Sequence, residues 1–173
     1  MRILLTAINA KYIHSNLAVY NLKAVTAKYG DQIEIAEYTI NQQPDEILAD
    51  IYKKQPDVIA FSTYIWNRRM VGELIAELPK VLPQAEIWAG GPEVSYDAEA
   101  FLMECPKVRG VMRGEGETVF PALASLYIEG TGSFQTLAGI TYRNDHGELQ
   151  INEDGAPANM DELPFVYDHL EDF

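Results

Sequence analysis

Cysteine occurs once in these 173 residues, as Cys105 beside Pro106, and reads there as a structural residue. A lone thiol excludes an internal disulfide, a CxxC metal knuckle and a cysteine-held iron–sulfur cluster within this stretch. Long apolar runs are also lacking; none approaches the roughly 20 residues that a membrane helix needs. The apolar part of the opening MRILLTAINAKY is too short for a signal peptide. The expected compartment is therefore the cytoplasm, with no membrane partner. Basic residues are scarce, 13 Lys and Arg against 26 Asp and Glu, for a net charge of −13. That balance argues against nucleic acid as a partner. The acidity is uneven. Residues 144–173 hold nine acids and no Lys or Arg, so the first 143 residues carry a net charge of only −4. The tail reads as a solvated extension or as a docking segment for a following domain.

Familiar chemical signatures are missing too. No GxxxxGK[ST] cradles a phosphate, and no GxGxxG follows the first strand. A phosphoacceptor receiver needs an aspartate at the end of the third strand, where Ser62-Thr63 stands. No Ser/His/Asp or Cys/His nucleophile set is legible. On these grounds the chain looks like a binder rather than a catalyst.

What is present is an ordinary globular composition, 47% hydrophobic and 23% charged, in a chain long enough to bury a core unaided. Residues 2–7, 57–62, 85–90 and 108–112 are short apolar runs that read as buried strands, and residues 33–38 alternate in period two as an edge strand does. Helices are expected over residues 17–29, from Pro44 through Ile51, over 67–78 and over 118–128, with Gly30 and Gly130 as stops. Residues 92–103 fit either a helix or irregular chain. Strands alternating with helices imply βαβ units, hence an α/β fold: a flavodoxin-like, doubly wound, five-stranded parallel sheet in the order 2-1-3-4-5. Residues 137–143 and 148–152 are expected to pair as a hairpin through Asn144-Asp145-His146-Gly147. The chain then divides into a domain over residues 1–135 and a hairpin with an acidic linker over residues 136–173.

In such sheets ligands sit outside the carboxyl ends of the strands. The loops there carry Asn9 and His14 after the first strand, and Ser62 and Thr63 after the third. Gly90, Gly91, Glu93 and Ser95 follow the fourth, and Gly114, Glu115 and Gly116 follow the fifth. Gly90-Gly91 would let backbone approach a large flat ligand, or would merely make a tight exit before Pro92. Ser62 and Thr63 would bond a ligand heteroatom or cap the next helix. Gly114, Glu115 and Gly116 would give a ligand access or cap a helix start. A lone His14 is a loop residue before it is a proton donor or metal ligand, and His146 and His169 have no assigned role. Gly91→Val is expected to block a ligand while leaving the fold intact.

Gly90-Gly91-Pro92-Glu93-Val94-Ser95, followed by Arg113-Gly114-Glu115-Gly116-Glu117, resembles the N-terminal cobalamin-binding domain of B12-dependent radical SAM proteins. These include radical SAM methyltransferases and relatives of the anaerobic magnesium-protoporphyrin IX monomethyl ester oxidative cyclase. The opening loop from Asn9 to Asn16 resembles one subgroup, and the resemblance covers about residues 1–135. It implies a Rossmann-like domain with cobalamin held across the strand ends. By position, Ser62 and Thr63 would touch the nucleotide tail, while Gly90, Gly91, Glu93 and Ser95 would line the same slot or the corrin edge. Gly114, Glu115 and Gly116 would flank the corrin, and Asn9 would lie in the cofactor loop. The cobalamin domains of methionine synthase and the mutases use DxHxxG; here Tyr12 and Leu17 replace its Asp and Gly, so His14 is not assigned as a cobalt ligand. The resemblance further implies a C-terminal radical SAM domain of the same polypeptide, with a [4Fe-4S] cluster, S-adenosylmethionine and a small-molecule substrate. The run Leu163-Pro164-Phe165-Val166-Tyr167-Asp168 resembles the linker before that domain, so the chain is expected to be a piece of a longer protein. Two other readings stay open: a degenerate domain that positions substrate without a corrinoid, and a flavodoxin-like domain for another nucleotide such as S-adenosylmethionine.

Overall fold

The structure, a computed structural model, describes residues 1–10 and 15–166. Apolar runs make the middle of its sheet. β1 (Ile3–Asn9) is buried at every position, and β3 (Val58–Ser62) and β4 (Glu86–Gly90) at all but one. Strands so uniformly apolar need cover on both faces. β2 (Ile33–Thr39) alternates between buried and open positions and forms the edge beside β1. With β5 (Val108–Met112) these strands are all parallel, in the expected order β2-β1-β3-β4-β5.

The sheet does not end at β5. The hairpin of β6 (Ile140–Arg143) and β7 (Leu149–Ile151) adds to the β5 edge, antiparallel, and brings the sheet to seven strands. The physical reason is the exposed ladder of β5, whose unpaired amides and carbonyls demand a partner. Ile140 and Tyr142 are buried in the same cluster as Trp88 and Met112. Asn144 makes the turn, its side-chain oxygen accepting from the amides of His146 (3.0 Å) and Glu148 (2.9 Å).

Helices cover the two faces. α1 (Leu17–Val25) and α6 (Gly116–Glu129) lie on the face of Ile3, Leu5 and Trp88. α2 (Pro44–Lys54), α3 (Arg68–Val81) and α5 (Ala98–Glu104) lie on the face of Leu4, Ile8 and Phe61. α4 (Pro92–Ser95) is a single turn at the exit of β4. α1 is shorter than expected. The Thr26 hydroxyl bonds back to the Leu22 carbonyl at 2.6 Å and ends the α-helix, and residues 27–32 continue as a tighter 3-10 segment. At their far ends α1 and α6 are lashed together, since Lys28 Nζ and Tyr29 OH both donate to Glu129 at 2.9 Å. Among the described residues, no helix is long and apolar enough to cross a membrane.

Two buried phenols report on the packing. Tyr38 donates to Asp50 at 2.7 Å. Tyr127 donates to Glu86 and accepts from Trp88 Nε1 at 2.7 Å. Burial first, and then the neighbouring carboxylates, push both phenols well above their ordinary value of 10. The unfolded chain therefore loses these protons first. Their contribution is complete below pH ~10 and falls as pH rises beyond it. The denaturation midpoint is expected to drop above pH ~10, with a shallower drop in Tyr38→Phe. An identical alkaline slope in that variant would exclude Tyr38 as a cause.

Candidate functional site

The carboxyl ends of the strands are in register, Ala7 beside Ser62 and Ser62 beside Gly90. The loops leaving β3 and β4 meet there backbone to backbone. Thr63 donates its amide to the Gly90 carbonyl at 2.8 Å, and Glu93 donates its amide to the Thr63 carbonyl at 3.4 Å. A Cβ on Gly91 would lie 2.5 Å from that same Thr63 oxygen, and Gly91 has φ +100°. Glycine is required at this position by the neighbouring loop. The expectation that Gly91→Val leaves the fold intact is thereby corrected: the added bulk strikes Thr63 before it reaches any ligand.

Side chains stitch the other exits. Asn67 Nδ2 donates to the carbonyls of Ile8 (2.9 Å) and Ser62 (3.0 Å), tying β1 to β3. The Ser95 hydroxyl lies 2.8 Å from the Gly91 carbonyl and 3.2 Å from the Met112 carbonyl, so its one proton bridges the loops after β4 and β5. The Glu37 carboxylate accepts from Asn9 Nδ2 (2.9 Å), the Asn16 amide (2.8 Å) and Tyr20 OH (2.8 Å), and so fixes the start of α1.

Below these exits a cleft of about 200 Å³ separates α1 from α6. Its floor is Leu5, Ala60 and Met112, its walls are Ala18 and Leu22 on one side and Gly116 on the other, and its lips are Ser62, Gly90, Gly91, Gly114 and Glu115. Its lining is mainly apolar. A second, wider and more polar compartment of about 660 Å³ adjoins it through Gly91, Gly114 and Glu115. Ser95, Tyr96, Arg113, Asp154 and Gly155 border that compartment.

The structure therefore brings together seven of the expected residues: Ser62, Gly90, Gly91, Ser95, Gly114, Glu115 and Gly116. Asn9, Thr63 and Glu93 border neither space. Asn9 serves Glu37, Glu93 is exposed, and Thr63 is fully buried with its Oγ1 unpartnered. Neither Ser62 nor Thr63 caps α3, and the Glu115 carboxylate accepts from the distant Ala158 amide instead of capping α6. Cys105 is buried, and burial pushes its thiol up, as suits a structural residue. His14, the rest of the 11–14 stretch, His169 and the acidic end from residue 167 lie outside the described residues.

Sequence reasoning missed Ala18, Leu22 and Met112, since an apolar residue lining a slot has the same pattern as one in the core. It also passed over the loop aromatics. Tyr64 and Trp66 stack at 4.5 Å with their planes 6° apart, beside the cleft, and Ile65 and Tyr96 stand out at 78% and 94% exposure. Apolar residues in a connecting loop were the available signal.

The family described as B12 binding domain matches residues 3–124. The chain belongs to that family, and cobalamin is the cofactor its loops serve. Among curated proteins it is 30% identical over 128 residues to the uncharacterized methyltransferase PH0819 of Pyrococcus horikoshii, covering 71% of this chain and 27% of that protein. It is 28% identical over 121 residues to the cobalamin-dependent radical SAM methyltransferase TokK of Streptomyces tokunonensis, covering 66% and 18%. The chain thus spans well under a third of these relatives. Among solved structures, the cobalamin-dependent S-adenosylmethionine radical enzyme OxsB superposes with a TM-score of 0.76 at 18% identity, over 98% of this chain and 24% of that one. The radical S-adenosylmethionine methyltransferase TsrM of Kitasatospora setae gives 0.70 at 15% identity, over 87% and 30%. These two likenesses establish the fold.

The close approach at Gly91 makes a direct prediction. Gly91→Val should lower folding stability by about 2 kcal/mol or more through strain at positive φ and the clash with Thr63. The check is a denaturant titration without any ligand, and an unchanged midpoint would refute the packing argument.

Proposed function

We propose that this chain holds cobalamin across the carboxyl ends of β1, β3, β4 and β5, as the cofactor module of a larger B12-dependent radical SAM methyltransferase. The observation that carries the reading is the apolar cleft between α1 and α6. Its lips are glycine and serine, and it opens into a broad polar compartment. That shape suits a ligand with a slender tail and a wide apolar ring edged by amides. Ser62 is the hydroxyl positioned on the lip to bond a heteroatom of the tail. Gly90, Gly114 and Gly116 keep the lips free of side chains, and Gly91 and Ser95 hold two of the loops in place. Leu22 and Ala18 exclude water from the slot. Asn9, Thr63 and Glu93 act behind this surface, by fixing backbone.

Bound cobalamin would supply a cobalt centre able to carry a methyl group. This chain's own residues bind and orient; none is placed as an acid, base or nucleophile. In the whole protein, the methyl transfer to a small-molecule substrate would fall to a C-terminal radical SAM domain of the same polypeptide, with a [4Fe-4S] cluster and S-adenosylmethionine. The printed activities of the curated relatives favour methyl transfer over oxidative ring closure. The cytoplasm is the compartment this reading implies.

The test mixes the purified chain with hydroxocobalamin, desalts it and records the visible spectrum. Retention near one corrinoid per chain is expected. Ser62→Leu, which fills the lip, should weaken retention about tenfold or more, equivalent to ~1.4 kcal/mol, with the thermal midpoint close to that of the unaltered chain. A folded, colourless chain would overturn the reading.

A further inference from the structure

After β7 the chain turns back across the carboxyl edge of the sheet, and Arg113 grips it. The Arg113 guanidinium donates to the Asp154 carboxylate at 2.6 Å and to the Asn152 carbonyl at 2.5 Å. Its backbone amide donates to the Gly139 carbonyl at 2.7 Å, and the Gly139 amide donates to the Glu153 carbonyl at 2.7 Å. One residue beyond Gly114, the Glu115 carboxylate accepts from the Ala158 amide. Packing closes the same seam. A Cβ on Gly155 would sit 3.3 Å from Val119 Cγ2, and one on Gly139 would sit 3.4 Å from the Gly155 Cα. Residues 152–158 hold no helix, and apart from these grips little anchors them.

We infer that residues 152–158 are a wall of the cobalamin site, a strap whose grip by Arg113 and Glu115 sets the cofactor loop Gly114–Gly116. Asp154 and Gly155 border the same compartment as Gly91, Ser95 and Gly114. The two residues that clamp the strap flank Gly114, which has φ +71° and nothing within 4 Å of where its Cβ would lie. A loop with so little packing of its own takes its position from what is tied to it. The strap's mixed charges suit a neutral periphery of amides, which needs donors and acceptors of both kinds. Arg113 also keeps a buried Nε that meets no acceptor among the described residues. Arg113 is therefore a positioning residue, and lysine cannot replace its two-pronged grip.

This inference rests on the proposed cobalamin site, and linkage makes it testable from both directions. If the strap is part of the site, cobalamin must steady the strap by the same factor by which the strap strengthens cobalamin binding. The first measurement is hydrogen exchange over residues 152–160 of the unaltered chain, with and without saturating hydroxocobalamin. Exchange should slow about tenfold, toward the low end of ordinary coupling between sites. The second is a spectral titration of Arg113→Gln, Arg113→Lys and Gly155→Val. All three should raise the hydroxocobalamin Kd by about the same factor, with thermal midpoints near that of the unaltered chain. Exchange indifferent to bound hydroxocobalamin would overturn the strap while leaving the cobalamin site standing. So would unchanged affinity in folded variants. An unaltered chain that takes up no hydroxocobalamin would overturn both.

Discussion

Two loops leave β3 and β4 with no room for a Cβ between them, and the carboxyl edge of the sheet is organised around that contact. Thr63 reaches the Gly90 carbonyl, Glu93 reaches the Thr63 carbonyl, and Gly91 passes between at positive φ. From this seam the stitching spreads outward, through Asn67 to the end of β1 and through Ser95 to the end of β5. Four strand exits become one rigid ledge. A ledge built from backbone is low, and low walls are what a broad ligand needs for close approach.

The cleft beneath the ledge has a separate cause. α1 and α6 are drawn together at their far ends by Lys28, Tyr29 and Glu129, and are joined again near the exits only by the 3.2 Å bond from Asn21 to Glu117. At the ledge itself Gly116 faces Leu22 without a side chain of its own. The helices are thus close enough to exclude water and open enough to admit a slender group. Nothing in this arrangement performs chemistry. It is a holder, which fits a chain that spans only a fraction of its relatives' length.

The hairpin does two jobs. It pairs the open edge of β5, so the sheet ends on a short β7 instead of a long bare strand. It also reverses the chain, so that the segment after it crosses back over the strand exits and meets Arg113. An edge solution in the fold thereby delivers a third wall beside the ledge.

Local pattern was enough for the parallel core. Uniformly apolar runs marked β1, β3 and β4, the period-two run marked β2 as an edge, and the alternation with helices set the strand order. The same placement put Ser62, Gly90, Gly91, Ser95 and Gly114 to Gly116 at one end of the sheet, because strand exits follow from strand order alone. What the sequence could not determine is anything that depends on which side chain meets which across long separations. Gly91 looked like an opening for a ligand and is a close approach to Thr63. Asn9 looked like a binding residue and serves Glu37. Leu22 and Ala18 read as core and line a slot. Arg113 was passed over, although it clamps residues some forty positions away. Periodicity reports which face a residue occupies. Only the folded chain decides what occupies the other side.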